Sequence, residues 1–223
     1  AADTFTVETA GSEALRVDSS QRLLSGTTTE GAVNADDLTI ATSGDTGITV
    51  RSADDGYGNL FFSDGTSGAA EYAGYVQYNH NNNSLVLGAN SSTRLSITST
   101  GGVNFNNGEL IERVNITAGK LSDNQNINLD NGMVHLFTTT ETATSTPNII
   151  STAGINTSMA TGDALSVNII TTTAAAAYSE RIKIDGLLTG ITTSWNGGSA
   201  PSAGGSSGKD FYSYTIIKTG DAA

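Results

Sequence analysis

The chain is poor in the residues on which most catalytic, metal and nucleic-acid sites depend. It has no cysteine, two histidines and ten Lys plus Arg among 223 residues. Without cysteine it forms no disulfides, thiolate metal sites or cysteine nucleophiles. A formal net charge of −12 and a pI near 4.3 disfavour nucleic acid and anionic membranes as partners, because both require clustered basic residues.

Long apolar segments are also lacking. No run of about 18 apolar residues occurs, so we expect no membrane insertion, and no signal-peptide pattern opens the chain. The first residue is Ala1 and not Met, so we expect either that Met was removed or that the chain is part of something longer.

Small and turn-forming residues dominate the remaining composition. The chain holds 32 Thr, 26 Gly, 25 Ser and 19 Asn. Thr suits the pleated surface of a strand, whereas Gly and Asn supply the positive φ of tight turns, so the composition predicts an all-β fold. Hydrophobic residues make up 37% of the chain, which is a thin core for a monomer. Association between copies is therefore expected.

Apolar residues recur in pairs spaced by two, which places both side chains on one face of a short strand. Turn signals such as Asp64-Gly65 and Asn107-Gly108 separate these pairs. The pairs are Phe5 and Val7, Leu15 and Val17, Leu38 and Ile40, Ile48 and Val50, Leu60 and Phe62, Leu85 and Leu87, Leu95 and Ile97, and Val103 and Phe105.

One segment of the chain repeats. When Leu15 is laid on Leu95, residues 14–23 align with residues 94–103 as a strand, a Ser/Thr-rich turn and the start of a second strand. Two unrelated hairpins could also align in this way. We interpret the echo as a duplicated hairpin module and not as a solenoid, because a solenoid needs more copies.

The length of the predicted strands changes near Asn107, with longer strand patterns after it. The prediction is a hairpin-rich, fibre-like region over residues 1–107 and a second domain over residues 108–223. Longer strand patterns in the second region, such as Ala164 to Thr172, predict a compact antiparallel β-sandwich of jelly-roll type.

Several segments resemble tail fibres and other virion structural proteins of tailed bacteriophages, notably marine cyanophages. They are Asp45 to Ser52, Gly58 to Gly68, Tyr75 to His80 and the segment Arg94-Leu95-Ser96-Ile97-Thr98-Ser99-Thr100-Gly101. The stretch from Trp195 to Gly204, followed by Tyr212 to Thr219, looks like the terminal domain of the same group.

The resemblance implies a β-structured virion component that is intertwined in a homotrimer and has a role in host attachment. Its partners would be itself, other virion proteins and a host-surface glycan or protein, and its location would be the extracellular particle. The resemblance implies no catalytic residues and no cofactor.

Residues that could act in catalysis or metal binding are few and have ordinary structural explanations. Gly204 to Gly208 matches the nucleophile-elbow pattern, but it lies in a glycine-rich loop without the strand and helix that this motif requires. His80 and His135 stand apart and do not make a metal site. The acidic pairs at residues 36–37 and 54–55 are interpreted as turn-forming residues, because adjacent strand residues point to opposite faces.

Three aromatic residues form the candidate receptor or glycan site. Trp195 is the single tryptophan, and Tyr212 and Tyr214 alternate with Ser213 on a nearby predicted strand. An exposed aromatic face would bind the flat apolar surface of a ligand. The alternative is that Trp195 anchors its loop or packs between subunits.

The sequence thus predicts a non-enzymatic fibre or fibre-like appendage of a phage. Two other functions stay open. One is a capsid-decorating or head-fibre protein that binds neighbouring virion proteins. The other is a tailspike-type glycan hydrolase, which would need two converging carboxylates.

Overall fold

The structure, a computed structural model, describes residues 3–221 and is nearly all β, with 39% strand and 7% helix. This confirms the predicted all-β class. The chain divides into two compact units between Glu109 and Leu110, whereas the predicted boundary follows Asn107. We refer to residues 3–109 as the N-terminal unit and to residues 110–221 as the C-terminal unit.

The N-terminal unit contains two separate sheets. The first sheet consists of β1 (Phe5–Thr9), β2 (Ser12–Val17), β3 (Leu23–Ser25) and β4 (Leu38–Ile40). Its first three strands form antiparallel pairs, and β4 joins parallel to β3. The second sheet is an antiparallel meander of β5 (Tyr57–Phe62), β6 (Gly74–Asn79), β7 (Ser84–Ala89), β8 (Ser92–Ile97) and β9 (Val103–Phe105).

Seven of the eight period-two pairs lie in these strands, as their alternation predicts. The exception is the pair Ile48 and Val50, which lies outside the strands of the described chain. Alternation shows which residues share a face, but a strand also needs a neighbour that accepts its hydrogen bonds.

The C-terminal unit also has two sheets. The third sheet contains β10 (Val114–Thr117), β12 (Val134–Thr140), β14 (Ala164–Thr172) and β16 (Lys209–Ile217). The fourth sheet contains β11 (Asn126–Asn128), β13 (Asn148–Ile150) and β15 (Lys183–Ile184). A single-turn helix, α1 (Ile155–Ser158), lies between β13 and β14.

The chain alternates between the third and fourth sheets, so that each strand pairs with the next but one. Four of the strand pairs of this unit are parallel, and β14 with β16 is antiparallel. The prediction of an antiparallel, jelly-roll-like sandwich is therefore wrong. The prediction assumed that consecutive strands are neighbours in one sheet. Here the connection between two neighbouring strands passes through the opposite sheet, so the chain returns in the same direction and the strands pair in parallel.

The inward-facing side chains of both C-terminal sheets form one core. Phe137, Val167 and Ile169 come from the third sheet, and Ile127 and Ile149 from the fourth, and each is at most 1% exposed. Polar contacts between neighbouring parallel strands support this arrangement. The side-chain amide of Asn148 donates to Asn126 Oδ1 at 2.8 Å across the parallel pair β11 and β13.

Candidate self-association surface

The three predicted contact residues do not form an exposed aromatic face. Tyr212 and Tyr214 are only 9% and 7% exposed, because both lie on the inner side of β16. Their outward-facing neighbours on the strand are Phe211 and Ser213. The expectation that Tyr212 and Tyr214 stand on the surface is therefore corrected.

The two tyrosine hydroxyls bind a buried serine. Tyr214 Oη lies 2.9 Å from Ser179 Oγ, and Tyr212 Oη accepts a hydrogen bond from the Ser179 backbone N–H at 3.3 Å. Burial raises the pKa of Tyr214 to about 12. These contacts satisfy polar atoms within the core and do not present them to a ligand.

Trp195 anchors its loop, as the alternative interpretation requires. Its indole Nε1 donates to the carbonyl oxygen of Glu180 at 3.2 Å. Its ring packs edge-on against Tyr214, with ring centroids 5.9 Å apart. A groove of about 580 Å³ runs past Trp195 along β16. A glycan-binding role for Trp195, Tyr212 and Tyr214 stays a prediction.

Both ring nitrogens of His135, the histidine of β12, have hydrogen-bond partners within the fold. His135 is 1% exposed; its Nε2 lies 3.0 Å from the carbonyl oxygen of Gly132, and its Nδ1 lies 3.2 Å from Asn115 Nδ2. These contacts fit a neutral ring that carries its proton on Nε2. Burial lowers the pKa of His135. Within residues 3–221, no three His, Asp or Glu residues converge as a metal site would require.

Acidic residues serve as local structural partners. Asp36 accepts from Arg22 Nη1 at 2.8 Å, and Asp18 accepts from Arg22 Nε at the same distance. The hydrogen bonds that Asp18 accepts from Arg22 lower the pKa of Asp18. Glu141, which is 5% exposed, accepts from the backbone N–H groups of Leu121 and Ser122 at 2.8 and 2.9 Å.

One face of the second sheet is apolar and has no cover within the described N-terminal unit. Residues that pair directly across strands share a face, so the pairing register identifies the members of this face. We call the following set the apolar face of the second sheet: Leu60, Phe62, Val76, Tyr78, Leu85, Leu87, Ala89, Leu95, Ile97, Val103 and Phe105.

Most of this apolar face is open to solvent in the single chain. Nine of its side chains are between 36% and 58% exposed. One row crosses all five strands as Leu60, Val76, Leu87, Leu95 and Phe105 and spans roughly 19 Å at the usual strand spacing. Soluble monomers rarely leave a contiguous apolar surface of this kind uncovered.

The reverse side of the second sheet combines polar pairs with two exposed aromatic residues, Tyr57 and Phe61, which are 52% and 46% exposed. Gln77 Nε2 donates to Asn59 Oδ1 at 2.8 Å, and Tyr75 Oη lies 3.0 Å from Thr93 Oγ1. The Tyr75 ring covers Gly88, where any added Cβ would stand 2.1 Å from a ring carbon. This side therefore satisfies its own polar groups, whereas the apolar face lacks a cover.

The first sheet has a corresponding apolar face. Its members are Phe5, Val7, Leu15, Val17, Leu23, Leu38 and Ile40, joined by the same cross-strand register rule. Phe5 is 63% exposed and Leu38 is 49% exposed. Both sheets of the N-terminal unit therefore leave their apolar side uncovered.

The N-terminal unit consequently has almost no core of its own. Leu24, at 1% exposure, is its single buried hydrophobic residue within the described chain, whereas the C-terminal unit has a core of twelve. Neither apolar face contains any of the 22 acidic residues. A second apolar sheet face is the surface that would complement them best.

Sequence alternation contained the signal for this surface. Seven of the eight period-two pairs lie on the two apolar faces. What alternation does not show is whether the chain itself covers the face. Only the spatial arrangement of the strands reveals that it does not.

Comparison with known proteins leaves the identity of the chain open. No protein-family model matches it, and no curated protein is significantly similar to it. No helix in residues 3–221 has the length and apolar character needed to cross a membrane.

Proposed function

We propose that the chain is a structural, non-enzymatic component of a tailed-phage virion, a tail fibre or fibre-like appendage that works as a homotrimer. The observation that carries the proposal is the uncovered pair of apolar faces in a unit that has a single buried hydrophobic residue. The class of particle and the number of copies come from the resemblance of segments such as Arg94 to Gly101 to phage fibre proteins.

Trimerisation would give the N-terminal unit the core that one chain lacks. With three copies around an axis, the apolar faces turn inward and remove each other's side chains from water. Each half-exposed Leu, Ile or Phe that becomes buried contributes about 1 kcal/mol. A continuous shared core also makes a rigid shaft, which is the mechanical property that a fibre needs.

The C-terminal unit would act as the contact domain. Its own core fixes the two sheets, so its loops are presented on a rigid support. The groove beside Trp195 is the part of the predicted contact site that a host-surface glycan or protein would reach.

Localisation in intact particles tests the proposed function. An antibody against the C-terminal unit should label the tail or a fibre attached to it in electron micrographs. Particles that do not contain the chain would contradict the proposal. A label on the capsid would support instead the second function, a capsid-decorating or head-fibre protein, because the apolar faces are equally suited to assembly there.

A further inference from the structure

The two sheets of the N-terminal unit contain the same three-stranded motif. The first motif covers residues 5–25 (β1 to β3) and the second covers residues 85–105 (β7 to β9). Leu15 pairs with Val7 and Ser25, and Leu95, 80 positions later, pairs with Leu87 and Phe105. Every residue pair of these ladders is matched at the same offset.

Irregular features of the backbone coincide as well. A bulge follows Val7 in the first motif and Leu87 in the second. The hairpin turns have positive φ at two successive residues, 51° and 76° at Ala10 and Gly11 and 52° and 53° at Asn90 and Ser91. Two unrelated hairpins share a register by chance more easily than they share a bulge and two consecutive left-handed residues.

The turn between the last two strands of each motif is closed by matching hydrogen bonds. In the first motif, the Arg22 N–H donates to Asp18 Oδ1 at 3.0 Å. In the second, the Gly102 N–H donates to Thr98 Oγ1 at 3.0 Å. Different side chains therefore perform the same role at equivalent positions.

The apolar side of the motif is preserved although the polar side is not. Five equivalent positions are apolar in both copies, namely Phe5 and Leu85, Val7 and Leu87, Leu15 and Leu95, Val17 and Ile97, and Leu23 and Val103; at two others, Ser25 and Phe105 and Thr9 and Ala89, only the second copy is apolar. On the reverse side, Arg16 corresponds to Ser96 and Leu24 to Asn104.

We infer that the duplicated motif is a self-association module used twice, so that each motif packs its apolar side against the same motif of a neighbouring copy of this chain. This inference rests on the proposed oligomeric function and deepens it, since it assigns two contacts in series and not one.

The chemistry of the motif favours a second copy as the occupant. A chain with a net charge of −12 repels its own copies wherever acidic residues meet, and the apolar sides of the motifs carry none. A second copy of the same chain also brings an apolar face of the same extent, which is what a unit without its own core needs.

The neighbouring strands favour contact between like motifs. The first motif is extended by β4 beside β3, whereas the second is extended by β6 and β5 beside β7. A five-stranded apolar face matches another five-stranded face in extent, so pairing of the first motif with the second would leave part of the wider face uncovered.

Thiol labelling of the cysteine-free chain tests the use of both motifs. Leu23→Cys and Val103→Cys occupy equivalent positions that are 37% and 54% exposed in the single chain. Thr6→Cys and Asn104→Cys, which are exposed on the reverse sides, are the matched controls. In the oligomer, both inward thiols should react with a maleimide at least tenfold more slowly than their controls.

The result separates this inference from the proposed function. If the unmodified chain sediments as a monomer, the oligomeric function itself fails. If the chain is oligomeric but one of the two inward thiols reacts as fast as its control, the duplicated contact is wrong and the oligomer stands.

Disulfide trapping tests contact between like motifs. Leu15→Cys and Leu95→Cys lie on the central strand of each motif. Each single variant should form disulfide-linked pairs of chains under mild oxidation when like motifs meet. Linked pairs that appear only when both substitutions are present in the same preparation would overturn contact between like motifs.

Discussion

The two units of this chain solve the same packing problem in different ways. The C-terminal unit winds between two sheets and buries Phe137 and Ile169 between them, whereas both N-terminal sheets leave one apolar side uncovered. The comparison teaches that an all-β sequence can supply apolar faces without supplying their cover. The C-terminal unit folds on itself, and we propose that other copies of the chain cover the apolar faces of the N-terminal unit.

The largest effect is expected from a charge within the apolar face of the second sheet. Leu95→Asp would place a carboxylate without a partner between copies, where desolvation is costly. We expect dissociation of the oligomer to become easier by more than about a hundredfold in protein concentration. Sedimentation velocity measures this change.

Asn104→Asp is the control for that substitution. It adds the same charge on the reverse side of the same sheet, at an exposed position of β9. The oligomer should persist in this variant. Equal dissociation by both substitutions would show that net charge, and not the apolar face, governs assembly.

A core truncation in the C-terminal unit should act within one chain. Phe137→Ala removes a side chain that is 1% exposed, which destabilises this unit by about 3–5 kcal/mol. Denaturant unfolding should show the loss at every protein concentration, and the oligomer mass should stay the same. Thr139→Ala, at an exposed position of β12, is the control and should change little. A loss of stability that depends on protein concentration would contradict the claim that the C-terminal unit forms its core within one chain.

The alternation that predicts strands also explains the limits of prediction from the sequence. Leu85 and Leu87 predict β7 correctly because the spacing of two is a local property of the chain. The parallel pairing of Asn126 with Asn148 is not local, since it depends on how the chain crosses to the opposite sheet and returns. Strands as short as Lys183–Ile184 also carry too few residues for a recognisable alternation.

The predicted exposure of Tyr212 and Tyr214 is wrong for a related reason. Tyr212 and Tyr214 predict a strand, and the structure has one there. A strand has two faces, however, and a tyrosine suits either a core or a surface. Both tyrosine hydroxyls contact the buried Ser179, which is more than thirty residues away in the chain. A contact between residues so far apart cannot be recognised from the local sequence around Tyr212 and Tyr214.

A smaller effect is expected from the tyrosine network of the C-terminal core. Tyr214→Phe removes the hydroxyl that contacts Ser179 Oγ, and Ser179 is 0% exposed. An unsatisfied buried hydroxyl costs about 1–2 kcal/mol, which denaturant unfolding would detect. Tyr57→Phe, at a half-exposed position of the N-terminal unit, should be nearly neutral. No loss in Tyr214→Phe would mean that the contact adds nothing to the stability of this core.

The smallest effect is a pH dependence confined to the C-terminal unit. Burial holds the pKa of His135 below its ordinary value of 6.5. Below pH 6.5 the unfolded chain therefore binds a proton that the folded chain does not, so stability falls as the pH falls, by at most about 1.4 kcal/mol per pH unit.

The pH profile of a variant isolates this contribution. His135→Gln keeps a side-chain donor for the Gly132 carbonyl but does not titrate. The stability difference between the original chain and His135→Gln should shrink on acidification from pH 7 to pH 5. A constant difference over that range would show that His135 does not bind its proton more weakly when folded.

The mass of the chain in solution tests the central claim most directly. Sedimentation equilibrium at micromolar concentrations should give a species about three times the chain mass of 22.8 kDa, with the N-terminal apolar faces covered. A stable, folded species of 22.8 kDa throughout that range would contradict the claim that the N-terminal unit completes its core with other copies.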